Sequence, residues 1–539
     1  MCRPLVLSLF ESLAVWATSL YLLSCANPRQ PNTPARVEPS ASTDSERWWY
    51  FLEESRIDRA VHDLSGQYRP SKLAIVHATL LSMSNQELKP DQTVVIDGGK
   101  FVAVGPTGQT AVPRDAKILE GTGRYLMPGL TDAHVHPEVS SSQHLLHLAM
   151  GITTVRDLDG HPWMLAMRDR IRNGRLLAPN VYLSGTILNA VPMEWYATVV
   201  RTPEEGRQQV RAQKAAGYDF IKVHNVLPLK TYLAIADEAR INGLDLVGHI
   251  PQSVTIAQAV AAGQRTFEHL KGYILDRTLT LSTEDYVAAT RGALVWNCPT
   301  LYTYVAQLRG QEARPRILTG PEMEYVSPRV RQRWLAIAEE PADPVQQGVF
   351  PLSLQVMRDL LPIHARFLAG TDSGGGYPLM VPGFALHEEV RLLVRAGLSP
   401  IQALEAATIE PARAMGREQE FGSIKVGKRA DLLLLTRNPR LSISDLGKAI
   451  QSVVVRGILL GPADRERLLR AVHDIYAATW PGKNAQITGE LITEIVQTHR
   501  QLAADSYVFR AHDLDELADL LAQAHRPEEA DEMRRLAVR

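Results

Sequence analysis

The apolar stretch Tyr125-Leu126-Met127-Pro128-Gly129-Leu130-Thr131 runs straight into Asp132-Ala133-His134-Val135-His136. The run reads as a buried strand entering the protein, and residues two apart on a strand point to one face. His134 and His136 therefore project together from the strand end and can share one metal ion. Alone, a His-x-His pair is a weak signal that reads equally well as two polar residues at a strand end. The rest of the chain decides between these readings.

Seven further apolar runs follow: Gly151 to Asp157, Asn180 to Ser184, Asp219 to His224, Asp245 to His249, Thr266 to His269, Ala293 to Cys298 and Arg366 to Asp372. Most are separated by roughly 20 to 35 residues with helical periodicity, such as Leu229 to Gly243 and Val254 to Gly263, which is the repeat of an α/β fold of the (β/α)8 TIM-barrel type. The long interval from Cys298 to Arg366 holds an insertion. Such barrels carry their chemistry at the carboxyl ends of the strands, and His134, His136, Lys222, His249, His269 and Asp372 all fall there. Six metal-competent residues at five strand ends are hard to explain as core filling.

With those motifs in view, the chain resembles the metal-dependent amidohydrolase superfamily, in its imidazolonepropionase-like and prolidase-like branch. The resemblance covers about residues 72 to 460. It is carried by PGLTDAHVHP, GITTVRDL, FIKVH, LVGHI, TFEHL, LAGTDSGG, LSPIQALEAATIEPARAMG and FGSIKVGKRADLLLL, in that order. The resemblance implies that His134, His136 and Asp372 bind the more buried of two divalent ions and His249 and His269 the more exposed one. It also implies that Lys222 bridges both as a carbamate.

The bridge has a physical rationale of its own. A protonated lysine beside two cations is repelled, whereas a neutral amine that has captured carbon dioxide offers an anionic pair of oxygens. The alternative is an ordinary strand-end lysine paired with a carboxylate. Two ions roughly 3.5 to 4 Å apart acidify a shared water and polarise a substrate carbonyl. Asp372 would then accept the proton of the attacking hydroxide and return it to the departing nitrogen as the catalytic acid and base. Zinc suits imidazole, carboxylate and carbamate ligands best, with manganese or iron as other candidates.

The substrate is less legible. His224 lies two residues beyond Lys222 on the same face, and it reads equally as a substrate contact or as packing beside the ligands. Tyr302, in Asn297-Cys298-Pro299-Thr300-Leu301-Tyr302, could be brought over the site as a substrate contact or serve as packing. The loop Thr186 to Trp195 departs from the glycine- and histidine-rich loop of the dipeptidase-like relatives, which puts a standard Xaa-Pro dipeptide in doubt. The arginine-rich insertion, with Arg309, Arg314, Arg316, Arg329, Arg331 and Arg333, reads first as a solvated face and second as a carboxylate clamp. The expectation is a hydrolase of amide or peptide-like C–N bonds, of dipeptidase or N-acyl amino acid hydrolase type. The alternative is a lactone, ester or cyclic-amide hydrolase using the same residues.

Composition agrees with an enzyme on small molecules. The 539 residues carry a formal net charge of -1 and 45% hydrophobic side chains, without the basic excess that a nucleic-acid partner requires. Residues 1 to 25 resemble an export signal: Arg3, a short apolar run from Leu13 to Leu23, and Leu22-Leu23-Ser24-Cys25 in the manner of a lipoprotein cleavage box. An uncleaved anchor is the rival reading. Either way the expected location is periplasmic or at the cell envelope, with membrane contact only through that terminus. The mature chain would keep Cys25 and Cys298, so no intrachain disulfide is expected. Residues 26 to 71 read as a tether and a helix. Segments 72 to 126 and 421 to 460 alternate as strands, and the resemblance implies that they form one small β-sandwich from both flanks of a barrel at 127 to 420. Residues 461 to 539 are helical in pattern and could pack on the barrel or mediate homo-oligomerisation.

Overall fold

The computed structural model describes residues 44–136, 141–193, 197–274, 281–306, 313–340, 344–374, 379–479, 487–503 and 511–537. The expected export signal and the tether up to residue 43 lie outside the described residues. Among those described, no helix is long and apolar enough to cross a membrane.

Each of the eight apolar runs contains a parallel strand. Leu130–Val135, Ile152–Asp157 and Asn180–Leu183 form one sheet. Phe220–Val223, Asp245–Gly248, Thr266–Glu268, Trp296–Cys298 and Arg366–Phe367 follow one another in a second. Isolated parallel bridges join Ser184 to Phe220 and Val135 to Ser373. All of the residues in the first three strands are buried, as expected of strands covered on both faces, and this is why they read as continuous apolar runs. The intervening helices carry their own start signals: Thr202 caps Pro203–Ala216 in a capping box with Glu205, and Thr255 does the same for Ile256–Ala261 with Gln258.

Two local readings change. The run from Tyr125 to His136 is two strands, because Gly129 breaks it: Tyr125–Pro128 joins an outer mixed sheet, and Leu130–Val135 starts the parallel one. A Cβ on Gly129 would meet Thr153 Oγ1 at 2.1 Å, so only glycine lets the chain turn there. The last run is a strand only over Arg366–Phe367, after which Ala369 and Thr371 still exchange backbone bonds with the His134 strand. The loop after the third strand also holds short strands, Ile187–Asn189 and Ala197–Val199, that extend the second sheet.

The segments flanking the parallel strands meet in one outer sheet. Leu432–Leu435 pairs antiparallel with Tyr125–Pro128, which in turn pairs with Leu73–Leu81, so segments over 300 residues apart become neighbours. The Gly98-Gly99 hairpin has φ of 55° and 75°, the twist that a two-residue turn requires. The helical extension does not stand alone. Helix Asp44–Gln67 packs Trp48, Trp49, Phe51 and Leu52 against Ile492, Ile495, Val496, Leu517 and Leu521 in a separate apolar cluster. Each such buried side chain contributes about 1.5–3 kcal/mol. Arg47 to Glu516 at 2.7 Å and Arg56 to Glu494 at 2.8 Å set the register of this pairing.

Candidate metal centre

The strand ends converge on a single buried cluster. His134 is fully buried, with Nδ1 2.8 Å from Glu268 Oε2. An ionised carboxylate only accepts, so the proton sits on Nδ1 and the Nε2 lone pair turns toward the cluster. That Nε2 lies 3.3 Å from His136 Nε2 and 3.3 Å from Asp372 Oδ1, and His136 Nε2 is 3.0 Å from the same oxygen. The ligating atoms of His134, His269 and Asp372 all lie within 4.8 Å of one another. His249 faces His269 edge-on with ring centres 4.8 Å apart, and His224 lies against His249 at 4.1 Å.

Lys222 sits on the strand between these groups with 1% of its surface exposed, and its Nζ has no hydrogen-bond partner among the described residues. Burial pushes its pKa down, against the opposing pull of Glu268 and Asp372. An unpartnered buried amine that acts electrostatically on such a cluster is costly unless it has a covalent or ionic use. Burial likewise holds His134, His249 and His269 below the ordinary histidine value, which keeps the rings in the neutral form that ligates a metal. Burial pushes the Asp372 carboxyl up, yet His269 and the ring nitrogens of His134 and His136 outweigh it and hold the group well below the usual carboxylate range.

The cluster has a supporting layer. His249 Nδ1 is 2.7 Å from Asn225 Oδ1, and His269 Nδ1 is 2.7 Å from Thr300 Oγ1. Glu268, which holds His134, also accepts from Arg156 Nη2 at 2.7 Å and from Thr266 Oγ1 at 2.5 Å. Arg156 reaches further to the Ala133 carbonyl at 2.6 Å, tying three strands together. Asp132 accepts from the backbone N–H and hydroxyl of Thr371 at 3.0 and 2.7 Å, which pins the last strand to the first. Burial raises the pKa of Asp132 to about 7 in spite of those bonds. His269, Thr300 and Asp372 all have positive φ (59°, 47° and 62°), a conformation rare outside glycine that concentrates at functional sites. A Cβ on Gly370 would sit 2.8 Å from His134 Cβ and 2.5 Å from Cys298 Sγ, so glycine is what allows the close approach.

The structure therefore brings together His134, His136, His269 and Asp372 directly, Lys222 by burial among them, and His249 with His224 by ring contact. Tyr302 is elsewhere in its contacts. It is 1% exposed, its hydroxyl donates to the Leu379 carbonyl at 3.2 Å and accepts from Arg316 Nη2 at 3.0 Å, and its backbone N–H donates to Glu389. Arg316 lies 3.6 Å from Glu322 and 3.8 Å from Glu388. Glu268, Arg156, Asn225 and Thr300 were not singled out from the sequence. For Glu268 and Arg156 a signal existed: each is a charged residue inside an otherwise apolar strand.

A mix of imidazole nitrogens, a carboxylate and a buried lysine amine fits divalent ions. The model of the Amidohydrolase family matches residues 125–460. Adenine deaminase from Mesorhizobium japonicum is 25% identical over 427 residues, covering 78% of this chain and 61% of its own length. Adenine deaminase 3 from Rhizobium meliloti is 24% identical over 427 residues, with 75% and 60% covered. The chain thus spans about three fifths of these relatives. Among solved structures, bottromycin amidohydrolase superposes with a TM-score of 0.65 at 26% identity, covering 81% of this chain and 96% of that one. A Xaa-Pro dipeptidase with bound methionine gives 0.57 at 20% identity, covering 72% and 100%, a likeness of fold. With a family match over well more than half of its length, this chain belongs to the amidohydrolase family.

Proposed function

We propose that the protein is a binuclear metal-dependent hydrolase of amide or peptide-like C–N bonds in small molecules, on a closed (β/α)8 barrel flanked by a small β-sandwich. The observation that carries the reading is the convergence of His134, His136, His269 and Asp372 around a buried Lys222 amine that has no hydrogen-bond partner among the described residues. His134, His136 and Asp372 would hold one ion and His249 and His269 the other, with a carbamate on Lys222 between them. When bound, two divalent ions, with zinc favoured by the donor set, supply Lewis acidity and an acidified water.

The chain's own residues supply the rest. Asp372 is positioned against His134 and His136 and is held ionised, so its carboxylate takes the proton released during attack and delivers it to the departing nitrogen. Glu268, Asn225 and Thr300 orient His134, His249 and His269 through their Nδ1 atoms. His224 borders the cluster beside His249 and is the nearest candidate for a substrate contact.

The substrate type stays at the level of the bond. Dipeptides and N-acyl amino acids are the first class, with lactones, esters and cyclic amides as the alternative. The adenine deaminase relatives favour a second reading, hydrolysis of an exocyclic amino group on a purine. One experiment separates these: metal content, together with turnover of dipeptides, N-acyl amino acids, lactones and adenine, with and without chelator. Chelator-sensitive cleavage of a dipeptide or acyl amino acid supports the first reading. A fully metallated protein inert toward every C–N substrate refutes it. The expected export and lipidation at Cys25 belong to the same proposal, and palmitate labelling of the expressed full chain and of a Cys25→Ser variant tests them.

A further inference from the structure

A cavity of about 920 Å3 opens between the end of helix Asp44–Gln67, the Gly98-Gly99 hairpin and the turn after helix Pro162–Arg172. It shares no lining residue with the histidine cluster. Asn173 to Arg175 precede strand Asn180–Leu183, so the cavity lies toward the amino ends of the parallel strands, whereas the ligands sit at the carboxyl ends. Its lining is strongly cationic, with seven arginine and lysine side chains against one carboxylate, Glu420.

That carboxylate is already engaged, since Glu420 accepts from Arg417 at 2.7 Å and from the Tyr182 hydroxyl at 3.2 Å. Arg429 has its own partner in Asp431 at 2.6 Å. Lys100, Arg172 and Arg175 are exposed and make no ion pair among the described residues. Among the described residues the guanidinium of Arg456 bonds to neutral oxygens, at Ala178, Asn180 and Leu176, with the Asp431 carboxylate acting on it through space. Burial lowers its pKa to about 10, the mark of a cation held without full compensation. The carbonyl end of helix Pro162–Arg172 accounts for cations in its last turn, Arg170 and Arg172. It accounts neither for Lys100 on the hairpin nor for Arg175 beyond the helix.

We propose that this cavity binds the phosphate groups of a multiply charged anion, a di- or triphosphate or an anionic phospholipid headgroup, at the end of the fold away from the hydrolytic centre. Guanidinium forks match phosphate oxygens in geometry and charge, and a cavity of this size suits a small molecule rather than a bare ion. Backbone turns at Gly98, Gly174 and Gly427 line the mouth, and a Cβ on any of them, or on Gly66, would meet nothing within 4 Å. The mouth is therefore open to a ligand.

The test is calorimetric titration of the metal-loaded full chain with sodium tripolyphosphate, alongside co-flotation with phosphatidylglycerol vesicles and with phosphatidylcholine vesicles as reference. Saturable binding of tripolyphosphate assigns a soluble source, and flotation with phosphatidylglycerol alone assigns a lipid one; both support the site. Arg172→Glu and Gly66→Glu each place a carboxylate at the cavity without removing a buried contact, and each is expected to weaken binding tenfold or more. Lys230→Glu makes the same sign of charge change outside the cavity and is expected to leave binding within twofold. Absence of binding to either probe overturns the proposal. So does binding that survives Arg172→Glu and Gly66→Glu, which would put the probe on the metal centre, or binding that Lys230→Glu weakens equally.

Discussion

The two ends of the parallel strands are built on opposite electrostatic plans. At the carboxyl ends, imidazoles, Asp372 and Lys222 are buried and backed by a layer of fixed partners: Glu268 with Arg156, Asn225, Thr300, and Asp132 with Thr371. At the amino ends, cations line an open cavity and several have no acidic partner among the described residues. Groups that must hold a fixed geometry are locked by hydrogen bonds in a dry interior, while groups that attract by charge alone can remain exposed and mobile in their rotamers. Substitutions at the two ends should therefore fail in different ways.

The largest effect is expected at Asp372. Asp372→Asn keeps the shape of the side chain and removes its proton affinity, so kcat on the substrate found by the panel should fall on the order of 10²–10⁴-fold. Retained metal with unchanged kcat would move the acid-base role elsewhere. Next is the support of His134. Glu268→Ala leaves the Arg156 guanidinium buried and unpaired, which should cost about 3–5 kcal/mol in urea unfolding. A loss under 1 kcal/mol would show that Arg156 finds another acceptor. Asn225→Ala should be milder, weakening metal retention by roughly 10- to 100-fold in a chelator competition while stability changes little. Smallest is Arg172→Glu at the opposite end, where unfolding should shift by less than about 0.5 kcal/mol and metal content should not move. A change in metal content there would mean the two ends are coupled.

The sequence alone specified the strand sites and the polar residues at their ends. All eight apolar runs hold parallel strands, because strands buried on both faces cannot hide their composition. Residues at the ends of such runs must be polar for a reason other than packing. It also marked both flanks as β-rich and both ends of the chain as helical, while that the flanks share one sheet emerged only from the assembled fold. What it left open were pairings between side chains far apart in the chain. That Arg156 answers Glu268 across 112 residues, that Asn225 holds His249, and that the Tyr302 hydroxyl goes to Leu379 and Arg316 depend on which rotamers fit once the strands are assembled. The division of the run at Gly129 and the shared apolar cluster of Trp48 and Trp49 with the last helices were likewise hidden. Periodicity reports which face of an element is buried, and only tertiary packing decides what buries it.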